Sequence, residues 1–373
     1  MNLYIHVPFC AQRCSYCDFY TQTQMGLRTL YIEALLEELS QRRGELAPYE
    51  ALSNIYLGGG TPSLLSPSEL ERIYSHIYRL YPVHSDAELT LEANPDDITE
   101  DYALALRDLP INRISMGVQS FQEEDLRFLN RRHDRAQVYS AVERLRGIGI
   151  DNLSLDLIYG LPNQTEASWA DNLRQIISLN VPHISAYHLI YEEGTPLTKM
   201  RDRGRINEVS EEDSLRFFEM LISSLRGAGY EHYEVSNFAK PGQYARLNTG
   251  YWQGVPYIGC GPAAHSYVGQ QRSHNVASIK LYAEGWQSGK RIYEVESLST
   301  EERRHEYIMT RLRTQWGLDL GEYTELFGAE EYKALLSRAQ GPLSRGELLL
   351  RDKVLYLSDK GIFVSDAILV ELF

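Results

Sequence analysis

Short apolar, β-branched segments alternate with segments of helical period through roughly the first 200 residues. In the first helical segment, apolar residues at positions 30, 34, 35 and 39 repeat at the spacing of one helix face. Such alternation is typical of a parallel sheet covered by helices, and six repeats suit a partial barrel. The pattern therefore predicts an α/β protein with a partial (β/α)6 barrel of the TIM type. Its expected strands are Leu3–Val7, Asn54–Leu57, Glu88–Leu91, Arg113–Val118, Asn152–Ile158 and His183–Leu189.

Two of the predicted helices carry start signals. The segment Ser66-Pro67-Ser68-Glu69 combines a capping serine, a proline at the first helical position and a glutamate that completes a capping box. The segment Ser120-Phe121-Gln122-Glu123 repeats the box without the proline. We therefore expect one helix to begin at each segment.

The pattern changes near residue 200, which predicts more than one structural unit. We expect Glu211–Leu225 to form an amphipathic helix and Tyr230–Phe238 to form a strand that runs into a loop. The end of the chain indicates an α+β domain like a small winged-helix unit, with a β-turn-β element at Val354–Leu357 and Gly361–Val364. The predicted regions are residues 1–205 for the barrel, 206–295 for a region that covers it, and 296–373 for the carboxyl-terminal domain.

Three cysteines, Cys10, Cys14 and Cys17, follow the first predicted strand with the spacing C-x-x-x-C-x-x-C. Thiolates bind soft metals and iron–sulfur clusters. Three ligands in one tight loop can hold three irons of a four-iron cluster and leave the fourth iron open to a small molecule, as catalytic metal sites do. A structural zinc loop is the alternative interpretation.

Chemically notable residues stand at the carboxyl end of every predicted strand, where parallel α/β proteins carry their active sites. We therefore predict a site at this edge of the sheet. Its candidate residues are the cysteine loop, Gly58-Gly59-Gly60-Thr61-Pro62, Glu92, Gln119, Asp156 and Tyr187-His188.

Each candidate also has a structural interpretation. The three glycines allow a ligand close to the backbone and expose amide N–H groups, or they form a tight turn. Glu92 and Asp156 interrupt apolar strands and suit ribose hydroxyls or a ligand ammonium. The alternative for both carboxylates is a buried ion pair with Arg113 or Arg131, and Gln119 could be a satisfied core amide.

Composition narrows the class of protein. The chain has 373 residues, 43% of them apolar, and no run of about 18 apolar residues that would predict a membrane-spanning helix. Its formal net charge of -14 disfavours nucleic acid as a partner. The first residues include no basic segment and no signal-like apolar core, so we expect the protein to stay in the cytoplasm. Four cysteines in that reducing compartment indicate metal or redox chemistry.

The cysteine motif together with Gly-Gly-Gly-Thr-Pro in the next βα unit resembles the radical S-adenosylmethionine (SAM) superfamily. A fuller set of motifs, spread over essentially the whole chain, resembles the branch that contains oxygen-independent coproporphyrinogen III oxidase and the heme chaperone HemW. The motifs are Tyr4-Ile5-His6-Val7-Pro8-Phe9-Cys10, Gly58 to Pro62, Glu92-Ala93-Asn94-Pro95, Gly117-Val118-Gln119-Ser120-Phe121, Asn130-Arg131-Arg132-His133, and Asp156-Leu157-Ile158-Tyr159-Gly160-Leu161-Pro162.

The resemblance implies a role for each candidate residue. Cys10, Cys14 and Cys17 would ligate a [4Fe-4S] cluster, and SAM would chelate the open iron. The residues implied around SAM are Gly59, Gly60 and Thr61 at its methionine part, Glu92, Gln119, Arg131 and Asp156 at the rest of it, and Tyr4 and Tyr16 packed nearby.

Two features favour the chaperone over the oxidase within this branch. The oxidase pattern is C-x-x-x-C-x-x-C-x-C, whereas this chain has Phe19 in place of the last cysteine. Oxidases also have a long extension before the cluster loop, whereas nine residues precede Cys10 here. The resemblance therefore implies a protein that binds heme and passes it to heme-accepting proteins, with a porphyrinogen-oxidising radical enzyme as the alternative.

The chaperone branch carries an H-N-x-x-Y-W motif associated with heme binding, and this chain has Leu247 in place of the histidine. Leucine cannot ligate iron, so other candidate ligands are His265, His232, His274 and Cys260. Cys260 stands between glycines and is otherwise interpreted as a small buried residue. The aromatic region from 230 to 267 could line a large flat apolar ligand, or could be loops packed over the barrel.

Overall fold

The computed structural model describes residues 1–46 and 50–373. All six predicted strands are present, and each pairs in parallel with the next along the chain. The predicted partial barrel is therefore confirmed. Its strands are β1 (Asn2–Val7), β2 (Leu52–Gly59), β3 (Val83–Ala93), β4 (Arg113–Gln119), β5 (Leu153–Tyr159) and β6 (His183–His188).

The helices of the barrel alternate with these strands. They are α1 (Arg28–Gln41), α2 (Arg43–Leu46), α3 (Pro67–Leu80), α4 (Glu100–Leu106), α5 (Glu123–Phe128), α6 (Arg135–Gly147) and α7 (Glu166–Ser178). Apolar residues at helical spacing form the buried face of each longer helix; on α1, for example, Tyr31, Leu35 and Leu39 are fully buried in the main hydrophobic core.

One of the two predicted capping boxes is present. Ser66 Oγ accepts a hydrogen bond from the Glu69 amide at 3.3 Å, and the Glu69 carboxylate accepts one from the Ser66 amide at 2.8 Å. The box at Ser120 was wrong, because α5 begins at Glu123 without a side-chain cap. Ser120 is fully buried at the end of β4 and donates instead to Asp125 at 2.7 Å.

The next part of the chain extends the sheet at both ends. Its elements are α8 (Pro196–Asp202), α9 (Glu211–Gly227), β7 (Glu231–Glu234), β8 (Asn237–Ala239), α10 (Arg246–Trp252), β9 (Tyr257–Cys260), β10 (His265–Val268), β11 (Gln271–Asn275), α11 (Ile279–Gln287) and β12 (Tyr293–Ser297). The strand order is β12-β11-β10-β9-β1-β2-β3-β4-β5-β6-β8-β7, with β9 parallel to β1. The predicted helix from residue 211 is confirmed, whereas the segment 230–238 forms two antiparallel strands instead of one.

The last part of the chain has a hydrophobic core of its own. Its elements are α12 (Thr300–Leu312), β13 (Leu318–Asp319), α13 (Leu320–Phe327), α14 (Ala329–Ser344), β14 (Leu348–Arg351), β15 (Val354–Leu357), α15 (Asp359–Phe363) and α16 (Ser365–Leu372). They confirm an α+β domain with a small antiparallel sheet. Along the described stretches of chain, no helix is both long and apolar enough to cross a membrane.

The β-turn-β element of this domain lies one strand earlier than predicted. The strand β15 pairs with β14 through a two-residue turn, in which Asp352 and Lys353 both have positive φ. That conformation matches the twist of a hairpin. The segment 361–364 is not a strand, because Ser358 caps α15 by accepting from the Gly361 amide at 3.0 Å.

A buried carboxylate joins the added strands to the barrel. Glu38 of α1 is fully buried and lies 3.1 Å from the guanidinium of Arg42. It also accepts hydrogen bonds from the Gly261 amide at 2.7 Å, Asn275 Nδ2 at 2.8 Å and the Tyr282 hydroxyl at 2.5 Å. Because α1, the loop after β9, β11 and α11 all meet at this side chain, it fixes how they pack together.

Replacing Glu38 with alanine is expected to lower the free energy of unfolding by about 3 kcal/mol or more, since several buried donors lose their acceptor. Denaturant unfolding of wild-type and variant proteins measures this loss. The matched control is Glu33→Ala on the same helix, whose ion pair with Arg72 is half-exposed; its expected cost is below about 1 kcal/mol. Equal losses in the two variants would contradict the assignment.

Candidate functional site

The cysteine loop is fastened to the carboxyl edge of the sheet at both ends. Cys10 N donates to the Gln22 carbonyl at 3.0 Å, and Gln22 N donates to the Pro8 carbonyl at 2.6 Å, which closes the loop. Its middle is held by Asn130, whose side-chain Nδ2 donates to the Arg13 carbonyl at 2.8 Å. The loop is thus positioned by β1 on one side and by the segment after α5 on the other.

The three predicted cluster ligands line one cavity of about 450 Å³. Cys10 Sγ accepts from Thr61 Oγ1 at 3.5 Å, and Cys14 Sγ accepts from Arg131 Nη1 at 3.3 Å. Burial raises the pKa of the Cys17 thiol to about 11, so ligation of iron by this residue must displace a proton. Among the described residues, no three His, Cys, Asp or Glu side chains are arranged to hold a single metal ion.

The glycine-rich segment packs against the start of the cysteine loop. Gly60 N donates to the Val7 carbonyl at 2.8 Å, and Thr61 N donates to the Phe9 carbonyl at 2.7 Å. A Cβ at Gly60 would lie 2.7 Å from each of these two carbonyl oxygens. The expectation of open amide donors was therefore wrong at these positions: the glycine allows close backbone contact, and its N–H group is already bonded. Gly59, Gly60 and Thr61 still line the cavity.

Glu92 is held by its own strand neighbours. Its Oε1 accepts from the Tyr56 hydroxyl at 2.7 Å, and its Oε2 accepts from the Gly59 amide at 3.0 Å. Burial raises the pKa of Glu92 to about 7. Both donors to the Glu92 carboxylate belong to β2, and the carboxylate also lines the cavity.

Asp156 lies in the same wall, and its Oδ1 is buried without a hydrogen-bond partner in the described part of the chain. Burial raises the pKa of this group to about 6. The alternative of a buried ion pair is not observed, because Arg113 lies 3.9 Å from Glu88 instead. An unpartnered buried acceptor that faces a cavity is the arrangement expected where a ligand donates a hydrogen bond.

Arg131 lines the cavity and connects the cysteine loop to the ends of β3 and β4. Its Nη2 donates to Asn94 Oδ1 at 2.5 Å and to the Gly117 carbonyl at 2.6 Å, while its buried Nε has no partner among the described groups. Asn94 is a contact that the sequence did not predict, although its position after Glu92 at the end of β3 was the available signal.

Gln119 shows a strained backbone at the end of β4. Its φ is +66°, and the pairing of β4 with β5 shifts register beside it. Non-glycine residues rarely adopt this conformation, which costs of order 1–3 kcal/mol and clusters at functional sites. The strain turns the buried Gln119 side chain toward the cavity that it lines.

The structure brings together the residues implied around the cluster and SAM except Tyr4, whereas Gly58 and Pro62 of the glycine-rich segment do not line the cavity. Tyr16 lines the cavity with the others, but Tyr4 lies behind its wall. The Tyr4 hydroxyl is 3.1 Å from His6 Nδ1, and its ring packs against Tyr56. Ile190 also lines this cavity, although the sequence did not predict it. Together with Phe19 it forms an exposed apolar rim.

A second cavity, of about 620 Å³, lies between the sheet extension and the carboxyl-terminal domain. We call it the aromatic cavity. Its lining includes Tyr187, Tyr251, Trp252, Tyr257, Tyr267, Tyr307 and Phe327. Tyr187 lines both cavities. The aromatic region from 230 to 267 thus forms a cavity wall as well as a cover for the barrel.

The residues considered as heme ligands do not line the aromatic cavity. His265 stacks on His274 with ring centroids 5.0 Å apart, and His232 stacks on Phe238 at 4.3 Å. Cys260 is buried in the main core, which confirms its interpretation as a small buried residue. Leu247 is also buried and is not part of the cavity wall to which its neighbours Asn248, Tyr251 and Trp252 belong.

Comparison with known proteins identifies the family. The profile described as the radical SAM superfamily matches residues 4–176, and that of the HemN C-terminal domain matches residues 298–364. A Lactococcus lactis protein named heme chaperone HemW is 35% identical over 96% of this chain and 94% of its own length. Its Bacillus subtilis namesake is 32% identical over 98% and 97%. The chain belongs to the HemW family of radical SAM proteins.

A solved structure supports the same fold for this HemW-family chain. Coproporphyrinogen III oxidase (HemN) from Escherichia coli superposes with a TM-score of 0.85, covering 100% of this chain and 89% of that one. Sequence identity in the superposition is 24%, so the comparison concerns the fold alone. Membership of the radical SAM superfamily implies SAM and a [4Fe-4S] cluster. The three thiols, the orphaned Asp156 oxygen and the orphaned Arg131 Nε fit such a pair of groups.

The cysteine assignment predicts that Cys14→Ala abolishes cluster assembly, because only two of the three thiolate ligands of the [4Fe-4S] cluster would remain. Iron and acid-labile sulfide contents after anaerobic reconstitution measure this loss. Cys260→Ala is the control, since its side chain lies in the main core and does not line the cavity. Full cluster content in Cys14→Ala would contradict the assignment.

The raised pKa of Glu92 predicts a pH-dependent stability. A buried carboxyl with a pKa near 7 favours the folded state at low pH, and this contribution is lost as the pH rises through that value. In cluster-reconstituted protein without SAM, Glu92→Gln should reduce the loss of unfolding free energy between about pH 6 and about pH 8 by about 1 kcal/mol. Denaturant unfolding at both pH values, with Glu33→Gln as control, tests this; an unchanged slope in Glu92→Gln would refute it.

Proposed function

We propose that this chain is a radical SAM-type [4Fe-4S] protein that binds heme and transfers it to acceptor proteins in the cytoplasm. The observation that carries the proposal is the agreement with proteins named heme chaperone HemW along almost the whole chain. The width and aromatic lining of the second cavity support it, since a flat apolar macrocycle needs such a wall.

The proposal gives each residue of the cysteine-lined cavity a role. Cys10, Cys14 and Cys17 hold three irons of the cluster, and SAM occupies the space beside the fourth. Glu92, Gln119 and Asp156 accept hydrogen bonds from SAM, and Arg131 supports both Cys14 and the cavity floor. Gly59, Gly60, Thr61 and Tyr16 shape the walls, while Tyr4 supports them from behind. When bound, the cluster supplies single electrons to the SAM sulfonium.

Phe19 supports the chaperone over the porphyrinogen oxidase. It occupies the position at which the oxidase pattern has a further cysteine, and its side chain is 60% exposed beside the cavity. An exposed apolar residue at that point suits contact with another apolar surface.

Reconstituted protein is expected to bind heme and to pass it to an apo-hemoprotein, without decarboxylating coproporphyrinogen III in the presence of SAM and reductant. Heme titration followed by absorbance, with product analysis of the second reaction, measures both. His265→Ala and Cys260→Ala should bind heme as the wild type does, because neither residue lines the aromatic cavity. Decarboxylated product would replace the proposal with the oxidase activity, and absence of heme binding would overturn it.

A further inference from the structure

Three arginines line the aromatic cavity: Arg272 from β11, and Arg303 and Arg311 from α12. The two on α12 are eight residues apart, which places them on the same helix face about 12 Å apart along its axis. The carboxyl-terminal domain therefore contributes two separated cations to a cavity whose other walls are largely aromatic.

These cations are unequally paired within the protein. Arg272 lies 2.7 Å from a Glu306 carboxylate oxygen, and Arg311 lies 3.1 Å from Glu322. Arg303 has no carboxylate within 4.0 Å in the described residues, and its Nε is buried without a hydrogen-bond partner. Within the described part of the chain, its guanidinium donates only to Thr300 Oγ1, at 3.2 Å. Arg303 therefore presents to the cavity a half-buried guanidinium that no carboxylate of the described residues neutralises.

Acidic groups in and beside this cavity pair two of its three arginines and leave Arg303 without a carboxylate partner among the described residues. Glu306 is the partner of Arg272, and Glu234 is the other acidic lining residue. Glu234 is 4% exposed, its Oε1 has no partner among the described groups, and burial raises its pKa to about 7. Arg303 is thus the lining cation that no carboxylate of the described residues pairs, on a chain whose net charge is -14. A guanidinium free of such a partner can form a charge-assisted hydrogen bond with an anionic ligand.

The remaining lining defines the body of that ligand. The Tyr251 and Tyr257 rings meet edge to face with centroids 4.6 Å apart, and Trp252 and Phe327 extend the aromatic surface. The Tyr307 hydroxyl has no partner within the described structure, and the Arg311 guanidinium lies over the same ring at 4.9 Å. A flat apolar ring system with carboxylate arms matches this combination of surfaces.

We propose that the carboxyl-terminal domain completes the heme site, with Arg303 and Arg311 binding the two carboxylate side chains of the macrocycle and Arg272 adding to their charge. The ring lies against Tyr251 and Trp252. This inference rests on the proposed function and deepens it, because it assigns heme specificity to a domain outside the barrel. It makes the two carboxylates, rather than the iron, the feature by which these residues recognise heme.

The test compares heme with heme dimethyl ester, whose two carboxylates are blocked. Arg303→Gln and Arg311→Gln in the full-length, cluster-reconstituted protein should each weaken heme binding roughly 10-fold or more, because each removes a charge-assisted hydrogen bond. Their affinity for the ester should equal that of the wild type. Arg216→Gln, which alters an exposed arginine of α9, is the control and should change neither affinity.

The outcomes separate the two proposals. If the wild type fails to bind heme, the proposed function is overturned, and this inference with it. If the wild type binds heme and both arginine variants bind it equally well, or if they lose affinity for heme and ester alike, this inference alone is overturned. Thermal unfolding of each variant detects a folding defect. Among the described residues, the guanidinium of Arg303 has one hydrogen-bond partner, Thr300, so Arg303→Gln is the variant least prone to a folding defect.

Discussion

Close backbone contact between β1 and the glycine-rich segment is the constraint on which the cysteine-lined cavity depends. The amides of Gly60 and Thr61 bond to the carbonyls of Val7 and Phe9, and no side chain fits between the two segments. Because Cys10 comes next in the chain, this contact sets where the first thiol stands relative to β2. Gly60 is required because β1 packs so closely against the glycine-rich segment. The same packing places this segment in the wall of the cavity.

Buried polar groups mark the rest of this edge of the sheet. Glu92 and Asp156 stand between apolar neighbours in β3 and β5, and Gln119 ends β4; the energetic cost appears as raised carboxyl pKa values and a left-handed backbone at Gln119. Parallel strands end at the same edge, so three unfavourable positions far apart in sequence become neighbours. The fold retains at this edge polar groups that its core would not tolerate without partners.

The two cavities differ in charge as well as in shape. Three thiols and four carboxylates outnumber the two arginines in the lining of the first, whereas three arginines outnumber the two glutamates in the aromatic lining of the second. Tyr187, at the end of β6, lines both of them. A cationic sulfonium and an anionic macrocycle are therefore suited to different sites in one chain, and the shared wall at Tyr187 places those sites next to each other.

The sequence by itself determined the order of strands and helices in the barrel, the cysteine loop and the level of the sheet at which Glu92 and Asp156 stand. Each of these follows from local periodicity or spacing, which the chain expresses within a few residues. It did not determine which partner Glu92 takes, that β9 pairs in parallel with β1, or that residues 361–363 are helical. The first two depend on contacts between residues up to 255 positions apart, and the third on a serine cap outweighing a strand-like pattern. The closure of the aromatic cavity by α12 likewise required the tertiary structure, because Arg303 and Tyr251 come together only when two separate hydrophobic cores pack side by side.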